Sequence, residues 1–382
     1  MNLLFYVPQM AAYGGMERHV CMLAQEAAAR GHKVCLLTTS DSLNAGARAA
    51  LLSAGIDFRE LSRPRGEASK LQKYLWLWRE TLRARSTRWD VIYTNGQSAL
   101  ASIVWNAARG GRTRIIHHHH TAADLGEQAT WGAGFRRVLK RAPEIVACSE
   151  ATRAGIEQAI GRRKGIRFLP YFTASPVSRE QVNESAPALD RTLNFGFLGR
   201  LVSTKGIETL CALSLRPELS GVLWHIYGEG SEYPESHFKA FPTIRYHGPY
   251  RDIVRHGEIL RSLDAVTLFS IHNEGMPLSL IEAMSAGLPW IATDRGGTRE
   301  LAIAPANCVV LLHPSTIDAT LAGVTELVRR LRTGQTSRLS QRAVYDNRFA
   351  PPVVSRQWFD FLEGTFPVAA VRQAEPSPAS SI

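Results

Sequence analysis

Short apolar runs alternate along this chain with longer stretches in which apolar residues recur every three or four positions. Residues 3–7 form the first run, and a helical pattern follows over 17–30, ended by Gly31. A strand at 34–38, a helix at 45–54 and a strand at 58–61 come next, with further strands at 91–94, 115–119 and 145–148. Apolar runs separated by amphipathic helices predict parallel strands buried on both faces. The composition breaks at 173–191, which is rich in Ser, Pro, Ala and Glu and reads as a linker. The pattern then restarts, with strands at 194–198, 222–227, 244–246, 265–269, 289–293 and 309–311 and a helix from about Gly206. The expected fold class is therefore α/β, with two doubly wound Rossmann-like domains facing a central cleft. Ligands in such sheets bind beyond the carboxyl ends of the strands.

The length of 382 residues agrees with two cores rather than one. The excess of 45 basic over 34 acidic residues gives a net charge of +11, which favours anionic ligands. The 5 cysteines are scattered, with neither metal-ligand nor redox spacing, and read as reduced core thiols of a cytoplasmic protein. The first ten residues lack the basic start and long apolar run of a signal peptide, and no apolar stretch is long enough to span a membrane. The final segment, 367–382, is rich in Pro, Ala and Ser and is expected to be disordered.

The densest chemical information lies at 269–301, which reads as strand, glycine loop, short helix, strand and glycine turn. Gly275 permits a tight backbone, Pro277 suits a first helical turn, and Gly287 suits a helix end. Amides near Gly275, Met276 and Leu278 would then point at an anion held by the helix start, although Pro277 itself supplies no N–H. Glu274 and Glu282 flank that start; their spacing alone carries nothing, and its weight comes from the loop and helix between them.

Upstream, Arg200 and Lys205 follow a predicted strand and could neutralise a diphosphate leaving group. Gly14 and Gly15 open a helix after the first strand, with Glu17 behind them. Four consecutive histidines stand at 117–120. Successive strand residues face opposite sides, so only two share a face, and no cysteine or acidic cluster nearby completes a metal site.

Taken together, Glu274-Gly275, Glu282-Ala283-Met284, Gly287 and Pro289 resemble the donor-site signature of glycosyltransferase family 4, a retaining family of GT-B fold. Met276-Pro277 departs from the Phe-Gly usual there. The resemblance implies an acceptor-binding domain at 1–180, a nucleotide-sugar domain at 190–350, and a C-terminal helix at 351–366 packing back towards the first domain. It places Glu274 on the donor sugar, Glu282 on the nucleotide ribose, and Arg200 and Lys205 on the diphosphate. Gly15, Gly275, Met276, Pro277 and Leu278 would complete the donor site. On the acceptor side it implies Gly14, Glu17, His119 and Ser149, with His120 facing the scissile bond.

No Asp-x-Asp motif occurs, so no metal and no cofactor beyond the donor substrate are expected. Two basic, aromatic stretches, 70–88 and 131–141, suit an anionic membrane surface or, equally, core-facing helices with a solvated basic side. A membrane role fits a lipid-linked acceptor, with work at the inner face of the cytoplasmic membrane.

Transfer of a sugar from a nucleoside diphosphate to a glycan or glycolipid hydroxyl, in bacterial cell-surface polysaccharide or lipopolysaccharide synthesis, is the leading reading. A GT-B epimerase or phosphorylase and an inactive GT-B scaffold remain open. A basic nucleic-acid-binding protein is the rival from another class, although no helix-turn-helix, zinc-finger or RNP signature occurs.

Overall fold

A computed structural model describes residues 1–7, 10, 14–39, 45–61, 88–95, 113–184 and 190–364, with 72, 75 and 79 as isolated positions. Tyr13, most of the basic stretch at 70–88 and the tail at 367–382 lie outside the described residues.

The first sheet contains β1 (Asn2–Tyr6), β2 (Lys33–Thr39), β3 (Asp57–Leu61), β4 (Val91–Asn95), β5 (Arg114–His119), β6 (Glu144–Ala147) and β7 (Ile166–Phe168). Its 7 strands run in the order β3-β2-β1-β4-β5-β6-β7, with every pairing parallel. The second sheet contains β8 (Leu193–Leu198), β9 (Val222–Tyr227), β10 (Ile244–Gly248), β11 (Ala265–Leu268), β12 (Trp290–Thr293) and β13 (Cys308–Leu311). Its 6 strands are also parallel, in the order β10-β9-β8-β11-β12-β13. Strand order reverses between β1 and β4 in one sheet and between β8 and β11 in the other, and a crevice opens at such a reversal.

The described helices are α1 (Gly15–Ala29), α2 (Ala45–Ser53), α3 (Leu125–Thr130), α4 (Ala133–Arg141), α5 (Glu150–Ile160), α6 (Ile207–Ser214), α7 (Glu235–Phe238), α8 (Ile253–Ser262), α9 (Leu278–Ser285), α10 (Ile317–Arg332), α11 (Arg338–Arg348) and α12 (Pro351–Leu362). α1 shows why they form. His19, Val20, Leu23, Ala24 and Ala27 recur at helical spacing and are all buried. The opposite face, with Arg18, Cys21, Met22 and Gln25, is left for the cleft.

α12 crosses back to the first domain. Its Val354, Trp358, Phe359, Phe361 and Leu362 join the core of Leu3, Phe5, Leu23 and Tyr93. The Trp358 indole N–H donates to Pro170 O at 2.8 Å, so the ring's one polar atom is satisfied inside that core. The second domain has its own core around Phe195, Trp224, Trp290 and Met284. Among the described residues no helix is long and apolar enough to cross a membrane.

Candidate active site

The two sheets point their strand ends at a cleft of about 1370 Å³ between the domains. One wall carries Gly14, Gly15 and Glu17 after β1 with His119 and His120 at the end of β5. The other carries Arg200 and Lys205 after β8, the loop from Glu274 to Leu278 after β11, and Glu282 on α9. Every cleft residue singled out from sequence except Ser149 is therefore brought to one place.

On the second wall, Glu274 is 7% exposed and its Oε1 sits 2.6 Å from Lys205 Nζ. Ser270 Oγ donates to the same oxygen. Burial by itself would raise this carboxyl, but Lys205, His272 and Ser270 hold it below the usual carboxylate value. The backbone carbonyl of Glu274 accepts from Gly297 N at 3.0 Å, which ties the loop to the glycine turn after β12.

Gly275 is required by a close approach. A β-carbon there would stand 2.6 Å from His120 O and 2.7 Å from Cys148 Sγ, atoms of the opposite domain. Pro277 is the N-cap of α9 rather than part of its first turn, so the helix starts one residue later than its sequence suggests. The departure from Phe-Gly at Met276-Pro277 leaves the loop intact: Met276 is buried in the domain core at 5% exposure.

The start of α1 faces the start of α9, because a β-carbon on Gly15 would run into the Leu278 side chain. Two helix N-termini thus converge on the cleft, and both favour negative charge. Glu17 folds back towards the backbone of Gly14 and its own amide. Burial raises its carboxyl, against the pull of those amides and of Arg200.

The four histidines divide by face. His117 and His119 lie on one side, rings 6.0 Å apart, and His118 and His120 on the other, rings 3.9 Å apart. His117 and His118 are wholly buried. His119 contacts Glu127 Oε1 at 3.0 Å; Thr121, Ala123 N and Trp131 Nε1 also converge on that carboxylate. Despite burial, His119 and these donors draw the Glu127 carboxyl down to about 2.

His120 opens partly to the cleft, but both its ring nitrogens are taken. Nε2 meets Tyr93 OH at 3.2 Å and Nδ1 meets Tyr171 OH at 3.1 Å. Tyr171 also donates to the His120 carbonyl at 3.1 Å, and Tyr93 OH reaches His118 Nδ1 at 2.7 Å. The ring is therefore pinned from behind.

Ser149 does not reach the cleft. It is fully buried and caps α5, accepting from Thr152 N at 3.0 Å, with its Cβ close beneath Gly297. Beside it, Glu300 of the second domain accepts from Glu150 N at 2.8 Å and Ala151 N at 2.7 Å, finishing the cap from across the interface. Burial raises the Glu300 carboxyl against those two amides. Asn273 Nδ2 likewise donates to Asp124 Oδ2 across the interface.

Arg18, Tyr250 and His256 also line the cleft and were not singled out from sequence. The signals were adjacent: Arg18 follows Glu17, and Tyr250 lies between β10 and α8, just beyond the carboxyl end of a strand.

Two parallel α/β domains, each opening at a strand-order reversal onto one shared cleft, define a GT-B glycosyltransferase fold. Two family models match, Glycosyltransferase Family 4 over residues 13–171 and Glycosyl transferases group 1 over residues 192–330. The chain belongs to glycosyltransferase family 4.

A GDP-mannose-dependent alpha-mannosyltransferase of Mycolicibacterium smegmatis is 33% identical over 150 residues, 38% of this chain and 37% of that protein. A GDP-mannose-dependent alpha-mannosyltransferase of Mycobacterium tuberculosis is 29% identical over 237 residues, 60% of this chain and 57% of that protein. The match thus spans about a third to little more than half of the length of these relatives. The crystal structure of Anabaena HepE in complex with UDP superimposes with a TM-score of 0.75 at 16% identity, covering 95% of this chain and 100% of that one.

Proposed function

We propose that this chain is a retaining glycosyltransferase that moves a sugar from a nucleoside diphosphate to a hydroxyl of a glycan or glycolipid. The observation that carries the reading is the convergence of two helix N-termini, Arg200 and Lys205 on one cleft that also holds Glu274 and Glu282. Helix starts and fixed cations suit a diphosphate, and the carboxylates suit sugar and ribose hydroxyls. GDP-mannose is the first donor to test, because both curated relatives are named for it.

Arg200 and Lys205 take the charge that builds on the leaving diphosphate, in place of a metal. The bond from the anomeric carbon to the phosphate oxygen breaks, and the bond to the acceptor oxygen forms on the same face. The acceptor's proton passes to the leaving phosphate. Glu274 orients the sugar, and His120, fixed by Tyr93 and Tyr171, forms the floor beneath it.

The acceptor belongs to cell-surface polysaccharide or lipopolysaccharide synthesis at the inner face of the cytoplasmic membrane. α4 supports that placement: it buries Phe135, Val138 and Leu139 and exposes Arg137, Lys140 and Arg141, a basic face suited to anionic headgroups.

The test incubates the protein with GDP-mannose and with UDP- and ADP-sugars, with and without membrane glycolipid extracts, in EDTA. Nucleoside diphosphate released only with acceptor, and a product of unchanged anomeric configuration by NMR, is the expected result. Release without acceptor, conversion of the donor to another sugar nucleotide, or an inverted product refutes it.

A further inference from the structure

We propose that Arg18 is a specificity-determining residue of the donor site, supplied by the opposite domain, and that together with His256 it reads the vicinal hydroxyls of the donor's ribose. The inference rests on the reading of Glu282 as the ribose contact.

Arg18 projects from α1 of the first domain, and its Nη1 lies 2.6 Å from Glu282 Oε1 on α9 of the second. Glu282 is 2% exposed, so this is a buried carboxylate held by a cation from across the cleft. On its other side stands His256 of α8, 3% exposed, with Nε2 3.8 Å from Glu282 Oε2. That separation is beyond hydrogen-bond reach. Among the described residues, neither His256 Nε2 nor Arg18 Nε has a hydrogen-bond partner. A buried polar atom left without a partner is costly. Two of them beside one buried carboxylate, on three residues that line the cleft, mark a place that ligand atoms complete.

The chemistry of the gap selects the ligand. A hydroxyl oxygen about 2.8 Å from each atom would bridge the 3.8 Å between His256 Nε2 and Glu282 Oε2, reaching the buried nitrogen as the ligand seats. It donates its proton to the carboxylate and accepts from the imidazole N–H, as only a group that both donates and accepts can. Burial pushes His256 below its ordinary value, which keeps the ring neutral with a single N–H to give. A neighbouring hydroxyl would find the same pair of roles at Glu282 Oε1, as acceptor, and at the Arg18 guanidinium, as donor. A phosphate placed here would meet the carboxylate charge, and an apolar group would leave every atom unsatisfied. The Tyr250 ring, 4.6 Å from the His256 ring, walls the pocket. Because Arg18 comes from the first domain, the diol is read only when the domains are together.

The experiment measures Kd by calorimetry for GDP, UDP and ADP and for their 2′-deoxy counterparts, with wild type, Arg18→Met, Arg18→Lys and His256→Leu. Wild type is expected to bind the ribose form at least about tenfold more tightly than the deoxy form, as a site built around a hydroxyl does. Arg18→Met and His256→Leu should each bring that ratio to within about threefold, and Arg18→Lys should restore part of it. If Arg18 merely braces the two domains, both forms weaken together and the ratio stands; that result overturns the proposal. His256→Leu leaves the Arg18–Glu282 pair in place, so it decides the matter even if Arg18→Met does not fold. Absence of any nucleoside diphosphate binding to wild type removes the donor-site reading itself, a different failure from binding without hydroxyl discrimination.

Discussion

Replacing Lys205 with Met keeps most of the side chain's volume and removes its charge from beside Glu274. The two are 2.6 Å apart, and their side chains are 16% and 9% exposed, so Glu274 is left as a buried carboxylate without its counter-charge. Orphaning one member of a buried pair costs about 3–5 kcal/mol. Ser270 Oγ still donates to the carboxylate, and His272 Nε2 stays 3.7 Å away. Lys205 is also partly wet, which brings the loss down to or just below the lower end of that range, about 2–3 kcal/mol.

The pH dependence has a definite sign. In wild type the Glu274 carboxyl lies below its ordinary value, so the pair's contribution is present at neutral pH and is lost as pH falls through that depressed value. In the variant burial acts unopposed by Lys205 and pushes the same carboxyl up. The stability gap is therefore widest near pH 8, narrows towards pH 4.5 as the variant's raised carboxyl takes up its proton, and closes only as pH falls through the depressed wild-type value. Urea unfolding of both proteins across that range measures it, and adding Glu274→Gln to Lys205→Met should recover part of the loss. A gap that is the same at pH 8 and pH 4.5, or a double variant as unstable as the two single losses added, would refute the charge argument and leave packing as the cause.

Two further outcomes follow from buried groups. Trp358→Ala removes a fully buried ring and its bond to Pro170 O, and should destabilise the first domain by about 3–5 kcal/mol in urea unfolding; an effect below about 1 kcal/mol would show that α12 is not part of that core. Burial pulls His19 and His117 down to about 3, so the unfolded chain takes up protons at these positions before the folded one does. Stability should then fall as pH drops below about 6.5, by about 1.4 kcal/mol per pH unit for each histidine, and a flat urea midpoint between pH 6.5 and pH 5 would contradict it.

Much of the architecture is written in local pattern. β9 falls on the expected residues, and β1, β2, β5, β6, β11 and β12 within a residue or so at each end, because parallel strands covered by helices leave short, mainly apolar runs. β7 was missed: it is a three-residue edge strand, IRF, whose central Arg167 breaks any run. The second-wall residues were legible because Glu274, Gly275 and Lys205 sit in loops that a strand and a helix bracket on either side.

Arg18 and His256 were not legible. They owe their position beside Glu282 to the docking of one domain on the other, and no periodicity within α1 or α8 encodes that docking. Ser149 was misplaced for a related reason. It precedes Glu150 at the start of a helix, which is the signature of a cap, and its hydroxyl is spent on Thr152 rather than turned to the cleft.

The return of α12 has a consequence for how the molecule is made. A ribosome delivers the seven strands of the first sheet well before residues 351–362 exist, yet Trp358 and Phe359 belong to that sheet's core. The first domain must wait, with an apolar face uncovered, until the second domain has been synthesised and α12 emerges. Completion of the first domain is thereby tied to a helix that is made only after the second sheet, and a chain cut short before that helix leaves the first sheet's core unfinished.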